Sequence, residues 1–385
     1  MTARLLDENQ RRTLGILAAA AAAVLAAGLL LEPRRAWSAL LMANFFFVCV
    51  ALGGLVFAAI QRLSSAGWSA LFCRVPEAMG AYLPVGAALM ALQCFGVGKL
   101  YPWADSATVA ADPVLRAKTA FLNPVSFFII SAVCFAVWYG LSRSLIRLSR
   151  AQDERDGADL SERAMRVSAA FLVAFSLTFT AAAILWIMSL EPDWYSTIYP
   201  WYLFSGLFMA GLAVMVLLLL LLHRRGLYRE LNSHHFHDLG KYLFAFSCFW
   251  AYLWFCQYLL IWYSNLPEET AHYVTRMANG WKPLFWLNPI VNFALPFALL
   301  LPAGQKKRIR RLFSVCILLL FGRCLDLYLL VGPSVTIHPQ FGWLEVGAFL
   351  GAGGLFILLF DRTFSAAPPV ALRDPYLVES LHHHA

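Results

Sequence analysis

Apolar residues run on in this chain for about 18 or more positions at a time, and polar residues are confined to the intervals between runs. A bilayer core about 30 Å thick needs about 20 helical residues to cross it. The runs therefore predict ten membrane-crossing helices, at 13–31, 38–60, 78–97, 121–141, 167–190, 199–222, 239–263, 284–301, 312–331 and 343–360. The intervals are short, the longest being 142–166, so no soluble domain fits between spans. The stretch after Phe360 is also too short to make one.

Composition agrees with an all-α polytopic membrane protein: 61% of the 385 residues are apolar and only 14% charged, far from the soluble balance. Charge adds an orientation. With the N-terminus inside, inner segments hold 21 Lys and Arg, outer loops hold 7, and Lys241 and Arg323 fall within spans. Cytoplasmic loops carry such an excess, so both termini are expected in the cytoplasm. The net charge of +8 follows from this bias. The basic stretches Lys306 to Arg311 and Arg143 to Arg166 are expected to face anionic headgroups, and nucleic acid is not an expected partner. Arg11 and Arg12 before an Ala-rich run resemble a secretory signal, but the apolar run exceeds the usual length of about 7–15 residues, so a retained span is expected.

The eight cysteines form no Cys-x-x-Cys pair, and His223, His234, His235, His237, His272 and His338 fall in loops or at span ends. That spacing suits neither zinc, iron–sulfur nor haem ligation. No metal site is expected, and no cofactor is expected on this chain itself. The terminal His382-His383-His384 is assigned no role.

An internal similarity orders the spans. Phe121-Leu122-Asn123-Pro124-Val125 opens span 4 and Trp286-Leu287-Asn288-Pro289-Ile290 opens span 8, with Lys118 and Lys282 just upstream. Glu77 and Gly80 open span 3 as Asp238 and Gly240 open span 7, and Pro192 and Pro333 follow spans 5 and 9. Asn is a good N-cap and Pro suits the first helical turn, so a single such pair would carry little weight. Two in register, four spans apart, predict parallel repeats. The expected organisation is 1–37 (tail and span 1), 38–190 (a first four-helix bundle), 191–331 (a second) and 332–385 (span 10 and tail).

Two four-helix bundles flanked by single spans resemble the NrfD-like family, the membrane subunits of polysulfide reductase and its relatives. Within it, Ser189 to Thr197, His237 to Phe244 and the aromatic run Trp250 to Tyr258 are similar to the F subunit of alternative complex III (ActF). The resemblance covers nearly the whole chain through short motifs. It implies a bacterial inner-membrane complex that oxidises quinol, with haem c and iron–sulfur clusters in partner subunits and a homologous membrane subunit alongside. It further implies a subunit without a redox centre that contributes a proton path; quinone or quinol binding is the alternative, and a purely structural anchor a third.

Among candidate residues, Arg323 and Asp326 interrupt an apolar run, and their i, i+3 spacing puts them on one helix face. Counted from Leu312, Arg323 lies roughly 16 Å into the core, near the midplane. Retaining such a charge costs at least about 2.5–3.5 kcal/mol, which favours a use. On the functional reading Asp326 takes and releases a proton under the influence of Arg323; on the structural one the pair pins span 9. The corresponding part of span 5, Phe179 to Ile184, has no such pair. His237, Asp238 and Lys241 open span 7 as a candidate proton mouth, or as an acid near a helix start with a snorkelling Lys. Glu191 and Asp193 after span 5 are candidate exit groups, or interfacial acids beside Trp194 and Tyr195. Gln257, Tyr258, Asn288, Asn292 and Tyr328 are candidate relays, or helix–helix glue. The aromatics from Phe244 to Tyr258 suit either a quinone pocket or a lipid-facing surface. A stand-alone secondary transporter is a further reading, since parallel repeats with a midplane charge pair suit one.

Overall fold

The computed structural model describes residues 4–154 and 158–384. It is all-α, with no strand among the described residues. Among the described residues ten helices are long and apolar enough to cross a membrane: Glu8–Leu31, Pro33–Leu63, Arg74–Leu100, Pro124–Glu154, Asp159–Leu190, Tyr199–Arg224, Ser233–Ser264, Lys282–Leu300, Ile309–Ser334 and Trp343–Phe364, called spans 1 to 10 below. The chain is a multi-pass membrane protein. An even number of spans puts both ends on one face, called here the terminal face.

Most helices outrun the apolar stretches that announce them. The interval 142–166, expected to be the longest of the short connections, is mostly helical: span 4 continues to Glu154 and the next helix begins at Ala158. Its residues are good helix formers that carry the helices beyond the apolar core. Span 3 is interrupted instead, by tight turns at Gly80–Tyr82 and Cys94–Gly96.

Spans 2, 3, 4 and 5 pack around one another in a ring, and spans 6, 7, 8 and 9 form a second ring. Spans 2 and 6 meet between the rings. Their contact is nearly bare backbone: a Cβ on Gly53 would lie 2.8 Å from Gly211 Cα, and one on Gly211 would lie 2.6 Å from Gly53 Cα. Small residues of this kind let membrane helices approach closely. Span 10 packs on span 2 and pairs with span 1.

Buried carboxylates fasten the outer pieces. Asp361 accepts from Leu5 N at 2.7 Å, Leu6 N at 3.1 Å and Arg11 Nε at 3.0 Å. On the opposite face Arg35 grips Glu345 through two bonds of 2.7 Å, a fork–fork geometry that fixes span 10 against span 2. The C-terminal segment crosses the terminal face. Ser380, fully buried, donates to Trp68 O at 2.7 Å and accepts from Leu71 N at 3.2 Å, and His383 Nε2 lies 2.7 Å from Asp238 Oδ2. His383 therefore has a partner in the fold.

The two Asn-Pro pairs, expected at equivalent helix starts, sit differently. Asn123 caps span 4, its Oδ1 accepting from Ser126 N at 2.8 Å. Asn288-Pro289 lies within span 8, two turns after Lys282, and is followed by a wide turn at Ile290–Ala294. Proline there withholds a backbone donor, and the helix widens locally. That frees Asn288 and Asn292 to face the bundle interior.

Candidate functional site

Arg323 and Asp326 meet inside the second ring. Arg323 Nη1 lies 2.6 Å from Asp326 Oδ2, with 5% and 1% of the two residues exposed. The guanidinium has room because span 6 carries Gly206, where a Cβ would lie 2.0 Å from Arg323 Nη2. The other carboxylate oxygen accepts from the Tyr202 hydroxyl and from Asn288 Nδ2 at 2.6 Å. Asn292 Nδ2 donates onward to Asn288 Oδ1 at 2.7 Å and Gly322 O at 3.0 Å. Ser247 of span 7 donates to Asn292 O at 2.5 Å. Spans 6, 7, 8 and 9 thus each send a polar group to one buried network, which offsets the cost of desolvating the pair.

A second centre closes the opposite face. The helix Pro267–Met277, between spans 7 and 8, places His272 and Arg276 one turn apart on its buried side. Glu191 reaches them from the end of span 5: His272 Nδ1 is 2.7 Å from Glu191 Oε2, and Arg276 Nη2 is 2.7 Å from Glu191 Oε1. Ser334 donates to the same Oε1 at 3.0 Å. Arg276 also caps span 9, donating through Nε to Leu329 O at 3.0 Å and through Nη2 to Leu330 O at 3.1 Å. These are last-turn carbonyls with no intrahelical partner. The His272 ring stacks on Trp194 at 3.9 Å between centroids.

A narrow cavity of about 20 Å³ joins the two centres, lined by Tyr202, Gln257, His272, Arg276, Asn288 and Asp326 among others. That volume is enough for about one water. Gln257, 6% exposed, turns its Oε1 to no hydrogen-bonding partner among the described residues. The interior toward the terminal face is different. Span 7 buries His235, Leu239, Leu243 and Ser247 on successive turns, and span 9 buries Leu312, Val315 and Leu319 below Arg323. Two turns of leucine separate Ser247 from the titratable end of span 7.

Of the candidate residues, Arg323, Asp326, Asn288 and Asn292 share the buried network, and Gln257 lines the cavity. Glu191 belongs to the outer centre. Asp193 is exposed and stands apart. Tyr258 stacks on Trp254 at 5.9 Å, and Tyr328 turns its hydroxyl to Gln340 N at 2.6 Å, away from the network. His237, Asp238 and Lys241 stay together on the terminal face, with Lys241 Nζ 2.6 Å from Asp238 Oδ1. Sequence reasoning missed Tyr202, His272 and Arg276. For the last two a signal existed: His and Arg at i, i+4, on the same side as Tyr273 and Met277 of a short amphipathic helix.

Burial alone would raise the Glu191 carboxyl, but Arg276 and His272 outweigh it and hold it well below the usual range. Burial, helped by Arg276, lowers His272 to about 4. Both shifts act in one direction. A histidine lowered from 6.5 to about 4 contributes stability that is complete above pH 6.5 and is lost as pH falls toward 4; Glu191 adds a loss that continues below about pH 4.5. The melting temperature in detergent should therefore fall between pH 7 and pH 4. In His272→Gln the part of that fall between pH 6.5 and 4 should become smaller; an unchanged profile would refute the assignment.

Neither the family models nor the curated proteins searched contain a match to this chain.

Proposed function

We propose that this chain is an integral subunit of a quinol-oxidising electron-transfer complex of the alternative complex III type, in a bacterial inner membrane with both termini cytoplasmic. In this reading the second ring carries protons, and redox groups reside in partner subunits. The observation that carries it is the polar connection from the Arg323–Asp326 pair through Gln257 and Asn288 to Glu191, His272 and Arg276. Buried ionisable groups that share a cavity with Gln257 and Asn288 suit a proton relay. The like order of packing in the two rings, with spans 2 and 6 meeting at Gly53 and Gly211, supports the parallel-repeat reading. On that arrangement only the second copy holds the pair.

A structural reading competes, because Asp326 is fully hydrogen-bonded and the cavity is narrow. Asp326→Asn in the intact complex separates the two. The proton-relay reading expects an assembled complex that oxidises quinol with its proton-to-electron ratio reduced to what quinol chemistry alone releases. An unchanged ratio would overturn it, and failure to assemble would favour the structural role.

A further inference from the structure

We propose that the terminal face carries a binding site for one anionic phospholipid at the junction of spans 6 and 9. Arg224 lies over the Phe313 ring, 6.0 Å from its centroid, which brings the end of span 6 onto the start of span 9. Below that contact both helices show apolar side chains to the membrane. Leu221 is 39% exposed on span 6, and Phe313, Ile317 and Phe321 are 43%, 48% and 56% exposed on span 9. Spacing of i, i+4, i+8 puts the last three on one helix face.

On each helix the basic residues stand one turn beyond this stripe. Arg224 follows Leu221 by three positions, with Arg225 beside it, and Arg310 precedes Phe313 by three. All three arginines are exposed or nearly so, and no carboxylate among the described residues pairs with Arg224, Arg225 or Arg310. Arg225 makes one long contact, 3.4 Å to Gln10 Oε1 on span 1. Three other arginines near this face do have carboxylate partners: Arg11 is held by Asp361, Arg62 by Glu77, and Arg74 by Glu77 and Asp153.

Unpaired guanidinium groups at headgroup height, over a lipid-facing apolar stripe, match the two ends of a phospholipid. The phosphate is held by Arg224 and Arg310, whose planar forks suit it, and an acyl chain lies along Phe313, Ile317 and Phe321. A neutral zwitterionic lipid offers the same chain but brings its own cation to the arginines. The site therefore selects for net negative charge.

The test is native mass spectrometry of the whole protein titrated with phosphatidylglycerol or phosphatidylcholine. Wild type is expected to retain one phosphatidylglycerol selectively. Each basic group near the surface is worth about five-fold in anionic-lipid affinity, so Arg224→Gln with Arg310→Gln should weaken retention about 25-fold. Arg224→Lys with Arg310→Lys should keep most of it, which separates lost charge from damaged folding. Arg147→Gln, an exposed arginine on span 4, should leave it unchanged. Equal retention of both lipids, retention unaltered in the double Gln variant, or displacement by inorganic phosphate would each overturn the proposal.

Discussion

Arg323→Met alone is expected to destabilise the protein more than Arg323→Met combined with Asp326→Leu. The single change leaves Asp326 in a fully buried network, 1% exposed, with Tyr202 and Asn288 on one oxygen and nothing on the other. Removing one partner of a buried ion pair costs about 3–5 kcal/mol, whereas replacing both with apolar groups of similar volume is often close to neutral. Neutral hydrogen bonds between membrane helices average only about 0.6 kcal/mol, so the charge, rather than the count of bonds, decides this prediction. Reversible unfolding in mixed micelles would measure both variants. If the double variant is as unstable as the single, the unpaired charge left on Asp326 is not what destabilises the single variant. Gly206 offers an independent approach to the same point. A side chain there takes the space of the guanidinium and should disturb the pair without removing either charge.

Arg276→Met is expected to be the most damaging change on the opposite face. It removes bonds to Leu329 O, Leu330 O, His272 O and Glu191 Oε1 at once, at 3.0, 3.1, 2.8 and 2.7 Å. Bonds from charged donors are worth about 1.5–3 kcal/mol each, and the carbonyls at the end of span 9 would be left without partners. A loss of about 3 kcal/mol or more should follow. Arg276→Lys should not restore it, because one ammonium cannot reproduce a fork that serves three carbonyls and a carboxylate. The local consequence is detachment of the helix Pro267–Met277, visible as faster amide exchange there and at the end of span 9. Exchange that stays at wild-type rates would show that apolar packing of Tyr273 and Trp281 is enough to hold this face.

Both predictions act on parts of one polar structure, and the sequence disclosed those parts unequally. Arg323 and Asp326 were legible because a charge pair inside an apolar run is costly at that depth, whether it relays a proton or pins the helix. Glu191 was legible only as an acid near an interface. Its partners come from a loop helix more than 80 positions away, as the separation between Glu191 and Arg276 makes plain. Tyr202 was not legible, since a tyrosine in a leucine-rich span suits lipid, core and network equally well.

Asn288 and Asn123 make the same point from the other direction. Both precede proline, and a helix start explains each from local preference. Asn123 does cap its helix, whereas Asn288 sits inside one and donates to Asp326. The difference arises from the neighbours: Asn288 faces a buried carboxylate on span 9, whereas the side-chain partners of Asn123 are all within four residues of it.

What the sequence by itself determined is the class of the protein and its ten crossings, because hydrocarbon demands long apolar helices and hydropathy records that demand residue by residue. It also located the one charge pair too deep to be incidental. What only the tertiary structure decided is which polar groups act together: that Glu191 joins His272 and Arg276, that these open toward Asp326, and that leucines close the other side. Those partnerships depend on helix rotation and on where distant loops return. Packing between helices sets both, and no local pattern of residues records either.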